Sequence, residues 1–172
     1  MRILLTGKIG IGKTTVCKKI VEIAKKNGLN CCGVLTQRLE DKGKTAELIV
    51  EDISTGERKI LASRINDEET SNGIISCNFI FNREAIEFGK KALSKKGDLL
   101  VIDEIGNLEL EGKGFNNAIC AFQSKKNKNS ILVVRSKLKN AVSAKLDCNF
   151  KMIEVNKDNR EEVPTTISIK FT

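Results

Sequence analysis

Two groups of residues in this sequence have types and spacing suited to chemistry. The first is Gly7-Lys8-Ile9-Gly10-Ile11-Gly12-Lys13-Thr14, which fits G-x-x-x-x-G-K-[ST] at every fixed position. Glycines at these points let the backbone curl and aim its N–H groups at an anion. A lysine at position 13 reaches β- and γ-phosphate oxygens, and a hydroxyl at position 14 can ligate Mg2+. A helix starting here turns its positive end toward the same anion. The nucleotide-binding segment is expected to run from Gly7 through Thr15. The second group is Leu99-Leu100-Val101-Ile102-Asp103-Glu104-Ile105-Gly106, an apolar run ending in two acids. An Asp there holds the Mg2+ sphere of a phosphate-loop site. A Glu immediately after it can polarise an attacking water. Together they spell attack on a γ-phosphorus. Lys13 and Glu104 are the expected catalytic residues, and Thr14 and Asp103 the expected Mg2+ ligands.

Composition agrees with such a site. The chain has 172 residues and contains no His, Trp or Tyr, and one Pro. Without His there is no Ser-His-Asp or Cys-His catalysis and no His-ligated metal. A γ-phosphate site needs none of these. The length suits one domain, taken as 1–172. The net charge of +8 comes from 23 Lys against 7 Arg. Specific phosphate and base recognition favours Arg, so the excess reads as a solvated Lys surface, with a nucleic-acid face as the alternative. Six cysteines without a C-x-x-C pair or a signal peptide read as reduced thiols. No apolar run approaches the ~18 residues that span a bilayer. The expectation is a soluble, cytoplasmic protein with no membrane partner, favoured as a monomer.

The elements that must position the two groups are legible as an alternation. Ile3–Thr6 reads as a buried strand, followed by the glycine loop and a helix from Lys13 to Asn27 with Val16, Ile20, Ile23 and Ala24 on one face. Cys32–Thr36 reads as a second strand. Glu47–Ile53 and Arg58–Ala62 flank Ser54-Thr55-Gly56 as a hairpin. Asn82 can cap a helix reaching Lys95. Leu99–Ile102 and Ile131–Val134 are runs suited to strands covered on both faces. Phe115, Ala118, Ile119 and Phe122 fall at i, i+3, i+4 and i+7 of a helix. Leu138, Ala141 and Val142 mark a short helix, and Met152–Val155 a last core strand. Residues 63–81 read only as a connection over a sheet edge. The fold class is α/β, with three layers and a mostly parallel sheet. The strand ending at Val134 is expected between the phosphate-loop strand and the Asp-Glu strand.

The same residues resemble a known family, the small nucleoside-triphosphatases of archaea, bacteria and eukaryotes, over nearly the whole chain. The resemblance rests on Leu5-Thr6-Gly7 through Thr14-Thr15, on Gly33-Val34-Leu35-Thr36, on Val101-Ile102-Asp103-Glu104-Ile105-Gly106-Asn107-Leu108-Glu109-Leu110, and on Asn159-Arg160 with Pro164. It implies a RecA-like phosphate-loop domain with an inserted β-hairpin, in which Gly7–Thr14 and Leu99–Gly106 are the nucleotide-binding segments. It also implies Mg2+-dependent hydrolysis of ATP, GTP, CTP and UTP to the diphosphate, slow and broad in base. Glu109 matches a second family acid whose role the motif leaves open. The chain departs from the family at Gln37-Arg38, where T-E-E is usual after the second strand, and at Thr45–Ile49 in the hairpin. Arg38, Arg64, Arg83, Arg135 and Arg160 are candidates for neutralising transition-state charge. Two other readings stay open. One is a small phosphate-loop kinase, which needs an acceptor pocket. The other is a nucleic-acid-stimulated ATPase, supported by the positive charge.

Overall fold

The runs Ile3–Leu5, Leu99–Ile102 and Ile131–Val134 are buried on both faces, and in the computed structural model they form three neighbouring inner strands of one sheet. The structure describes residues 1–41, 43–65 and 73–171. The strands are β1 (Arg2–Gly7), β2 (Cys31–Asp41), β3 (Lys44–Asp52), β4 (Arg58–Arg64), β5 (Ile74–Ser76), β6 (Phe79–Phe81), β7 (Leu99–Ile105), β8 (Asn129–Arg135) and β9 (Lys151–Glu154). The helices are α1 (Lys13–Lys26), α2 (Arg83–Leu93), α3 (Asn107–Leu110), α4 (Ala118–Gln123), α5 (Lys139–Ser143) and α6 (Val163–Ser168). Across the sheet the order is β5-β6-β4-β3-β2-β7-β8-β1-β9. β2, β7, β8, β1 and β9 pair in parallel, while β3 and β6 pair antiparallel with both of their neighbours. Among the described strands only those two run against the rest.

Two apolar layers follow from the period of two along each strand. Ile3, Leu5, Leu99, Val101, Ile131 and Val133 point to one face, where Val16, Ile20 and Ala24 of α1 and Ile167 of α6 cover them. Leu4, Leu100, Ile102, Leu132 and Val134 point to the other, under Ile86 and Leu93 of α2, Phe122 of α4 and Val142 of α5. Each large side chain so covered contributes about 1.5–3 kcal/mol. The strand ending at Val134 lies where it was expected: Leu132 opposes Leu4 of β1 on one side and Ile102 of β7 on the other.

Several boundaries differ from the sequence expectation. β2 continues past Thr36 to Asp41, because Gln37–Asp41 pair with β3 through backbone groups that do not register in hydropathy. β7 carries on through the acidic pair to Ile105. Phe115 precedes the helix it seemed to belong to; its ring packs on Gly89, where an added Cβ would lie 2.3 Å from it. The last strand is an edge strand whose contribution to the core is limited to Ile153 and the following Val155. β9 pairs only with β1, at the sheet edge, and Met152 is 42% exposed. Within 63–81, β5 and β6 form an antiparallel pair that joins β4; residues 66–72 of that expectation lie outside the described residues. No helix among the described residues is long and apolar enough to cross a membrane.

Two local devices hold the second layer. Gly33 (φ +105°) opposes Val101 so closely that a Cβ would lie 2.0 Å from the Val101 carbonyl oxygen. Asn82 caps α2, its Oδ1 accepting from the N–H groups of Glu84 (2.8 Å) and Ala85 (3.1 Å). Asn82→Ala is expected to lower stability by about 1 kcal/mol, read as a lower urea midpoint at unchanged slope.

Candidate active site

The glycine loop joins the end of β1 to the start of α1 and is shaped by two left-handed residues, Gly10 (φ +78°) and Gly12 (φ +102°). Side chains rarely adopt either, so glycine at these two positions is a backbone requirement. Lys8 and Ile9 are exposed on the loop, Ile11 tucks its side chain against the α1 layer, and Thr15 is exposed outside the cavity. Lys13 folds back over the loop. Its Nζ donates to the carbonyls of Gly7 and Lys8, both at 3.1 Å, and lies 3.8 Å from Glu104 Oε2. Burial pulls its ammonium below the ordinary lysine range, while Glu104 and Asp103 pull it back up.

Leu99–Ile102 do not line the cavity. They are core residues whose part is to deliver the acids. Past Ile102 the ladder with β8 slips: Ile102 opposes Leu132 but Ile105 opposes Val134, so three steps on β7 match two on β8. Such a bulge re-aims side chains at a strand end. Asp103 is buried, and among the described residues neither of its carboxylate oxygens has a hydrogen-bond partner. Burial raises its pKa to about 7; the Thr14 hydroxyl and Thr36 amide beside it pull the other way, and Glu104 adds to the rise. Thr14 Oγ1 is only loosely committed, donating to the Thr36 carbonyl at 3.5 Å. A buried carboxylate beside a loosely held hydroxyl is a donor set that could hold a hard divalent cation. No group of three or more His, Cys, Asp or Glu side chains suited to a metal occurs among the described residues. Mg2+ needs none, since it is held by one or two protein oxygens with phosphates and water.

Glu104 is the hub of the site. Arg135, the last residue of β8, donates its Nε–H to Oε1 at 2.6 Å, and Arg38 of β2 stands 4.0 Å from the same oxygen. Of the five candidate arginines, Arg38 and Arg135 border the cavity; Arg64, Arg83 and Arg160 do not. Arg160 lies 3.6 Å from Glu161 instead. The signal for Arg135 was its place at the end of the strand between the two motifs. Arg38 is also one of the positions at which the sequence departs from what the resemblance implied, and its cation faces the glutamate.

Glu109 has a structural part. Its Oε2 accepts from the Gly106 N–H at 2.8 Å and its Oε1 from the Phe115 N–H at 3.1 Å, which ties down the turn after β7. Burial pushes its carboxyl up, and those N–H groups hold it down. The cavity has a volume of about 610 Å3 and reaches from the loop past Glu104 to Phe79 and Phe81. That apolar end was invisible in the sequence, because β5 and β6 are three residues each.

A helix-covered α/β sheet with a glycine loop at the end of one inner strand and an acidic pair two strands away defines a nucleoside-triphosphatase type of protein. The chain belongs to the NTPase family, whose model matches residues 2–168. It is 33% identical over 158 residues to the nucleoside-triphosphatase THEP1 of Ignicoccus hospitalis, covering 92% of this chain and 89% of that one. It is 29% identical over 172 residues to the THEP1 of Methanosarcina acetivorans, covering 99% and 97%. Among solved structures it resembles a human cancer-related nucleoside triphosphatase (TM-score 0.72, 23% identity, covering 98% and 96%). It also resembles THEP1 from Aquifex aeolicus (TM-score 0.66, 23% identity, covering 97% and 96%). These two likenesses are of fold.

Proposed function

We propose that this protein hydrolyses nucleoside triphosphates to the diphosphate and phosphate, with Mg2+, across several bases. One observation carries the reading: Glu104 lies beside Lys13 of a phosphate loop, next to a buried Asp103 whose carboxylate lacks a partner. The loop N–H groups and Lys13 hold the β- and γ-phosphates. Thr14 and Asp103 would hold Mg2+, which when bound neutralises charge on those phosphates. Glu104 orients a water and takes its proton. Arg135 and Arg38 stand ready to offset charge on the γ-phosphoryl oxygens. Because both arginines rest on Glu104, turnover is slow in the isolated chain. The domain is RecA-like, with β3 and β4 as its inserted hairpin. Six free thiols support a reducing, cytoplasmic setting.

The test is phosphate release from ATP, GTP, CTP and UTP, with Mg2+ and with a chelator. Release from all four is expected, and its loss on chelation. Release that ignores the chelator would remove Thr14 and Asp103 from the metal role, and no release from any of the four would remove the hydrolytic reading.

A further inference from the structure

Hydrolysis uses only one end of the cavity. The loop, Lys13, Thr14, Asp103 and Glu104 lie there. The other end is walled by Leu48 of β3, Leu61 of β4, Phe79 and Phe81 of β6, and Phe115. Register places the two ends in order. Arg38 opposes Leu48, Leu48 opposes Ala62, and Ala62 opposes Phe81. Directly opposed residues share a face of the sheet. Glu104 in turn lies between Lys13 and Arg38. Leaving the loop, the groups met are therefore Lys13, Glu104, Arg38, Leu48 and Phe81. Three strand spacings, roughly 14 Å, separate β2 from β6.

A triphosphate gripped by the loop directs its γ end to Lys13 and Glu104, so its nucleoside leaves in the other direction. The apolar end consequently lies on the side from which the nucleophile arrives. Water needs no such wall. Leu48, Phe79 and Phe81 are only half-buried, and the surface they leave open faces the cavity. Apolar walls converging on a few polar groups are the form of a small-molecule site, and phenylalanine faces accept planar rings.

We propose that this alcove holds a second substrate, an aromatic ring bearing an alcohol, and that the site transfers the γ-phosphoryl group to that hydroxyl. The proposal rests on the triphosphate reading above. In the step, the alcohol oxygen forms a bond to the γ-phosphorus. The bond from that phosphorus to the β,γ-bridging oxygen breaks, its electron pair leaving with the nucleoside diphosphate. The alcohol proton passes to the Glu104 carboxylate. Arg38, at the border between the alcove and Glu104, offsets charge on the group in transit. The two arginines that sequence spacing left scattered converge on Glu104, at the border of the alcove.

The experiment incubates the full chain with γ-labelled ATP, Mg2+ and a panel of ring alcohols: the four ribonucleosides and the hydroxymethyl derivatives of pyridine and pyrimidine. Label is followed into phosphomonoester and into free phosphate. The expected result is a phosphomonoester with at least one alcohol, formed at the expense of free phosphate as that alcohol is raised. Leu48→Trp, which fills the alcove, is expected to lower the ratio of transfer to hydrolysis about tenfold or more. Phe79→Ala serves as the second variant if Leu48→Trp does not fold, with the same direction expected. Free phosphate alone, unaffected by every alcohol, overturns the alcove proposal and leaves the triphosphatase reading standing. An unchanged ratio in a folded variant overturns it as well. Absence of both hydrolysis and transfer overturns the triphosphatase reading, and this proposal with it.

Discussion

Glu104→Gln is expected to keep nucleoside triphosphate binding and to lower phosphate release by about two to four orders of magnitude, the range for loss of a positioned general base. The amide preserves size and can still lie against Lys13. It cannot take a proton, and it cannot hold Arg135 as an ion pair at 2.6 Å. Arg135 is 39% exposed at its side chain, so little stability should be lost with that pair. Binding of a fluorescent triphosphate and phosphate release, measured on the same preparation, separate the two effects. Unchanged turnover would remove Glu104 from the reaction.

Lys13→Ala should act earlier, on binding as well as turnover. Lys13 is the buried cation that closes the loop, bonded to two carbonyls of the loop it serves. Its removal takes the ammonium from the β- and γ-phosphate oxygens and leaves Glu104 facing the γ-phosphate without it. Phosphate release is expected to fall to background and triphosphate affinity to drop about tenfold or more, as loss of a charge-assisted contact implies. Far-ultraviolet circular dichroism matching the parent would show that the fold is intact. A folded variant turning over at the parent rate would exclude the loop as the phosphate site.

Legibility followed physical cause. The glycine loop and the Asp103-Glu104 pair were readable because their function fixes residue type at fixed spacing. β1, β7 and β8 were readable because strands covered on both faces must be apolar throughout. β9 misled for the opposite reason: Met152 and Ile153 are apolar on a strand with an open edge. The far ends of β2 and β7 were hidden because backbone pairing holds polar residues such as Gln37 and Glu104 in extended form. Glu109 was recognisable as an acid of interest, yet its task is to receive two backbone N–H groups, which no spacing rule announces. Arg38 and Arg135 are 97 positions apart and meet only because β2 and β8 flank β7.

That flanking has a metric consequence. β8 stands as a spacer between the strand that ends in the loop and the strand that ends in the acids. Two interstrand steps make roughly 9.5 Å where the three strands are paired, at Leu4, Leu132 and Ile102. The gap is wide enough for a tetrahedral phosphoryl group and an incoming oxygen in line, and too wide for the acidic strand to close against the loop. The sheet therefore acts as a gauge block. Side chains at the site can move, while the separation between the strand that carries the loop and the strand that carries the acids is set by the backbone beneath them.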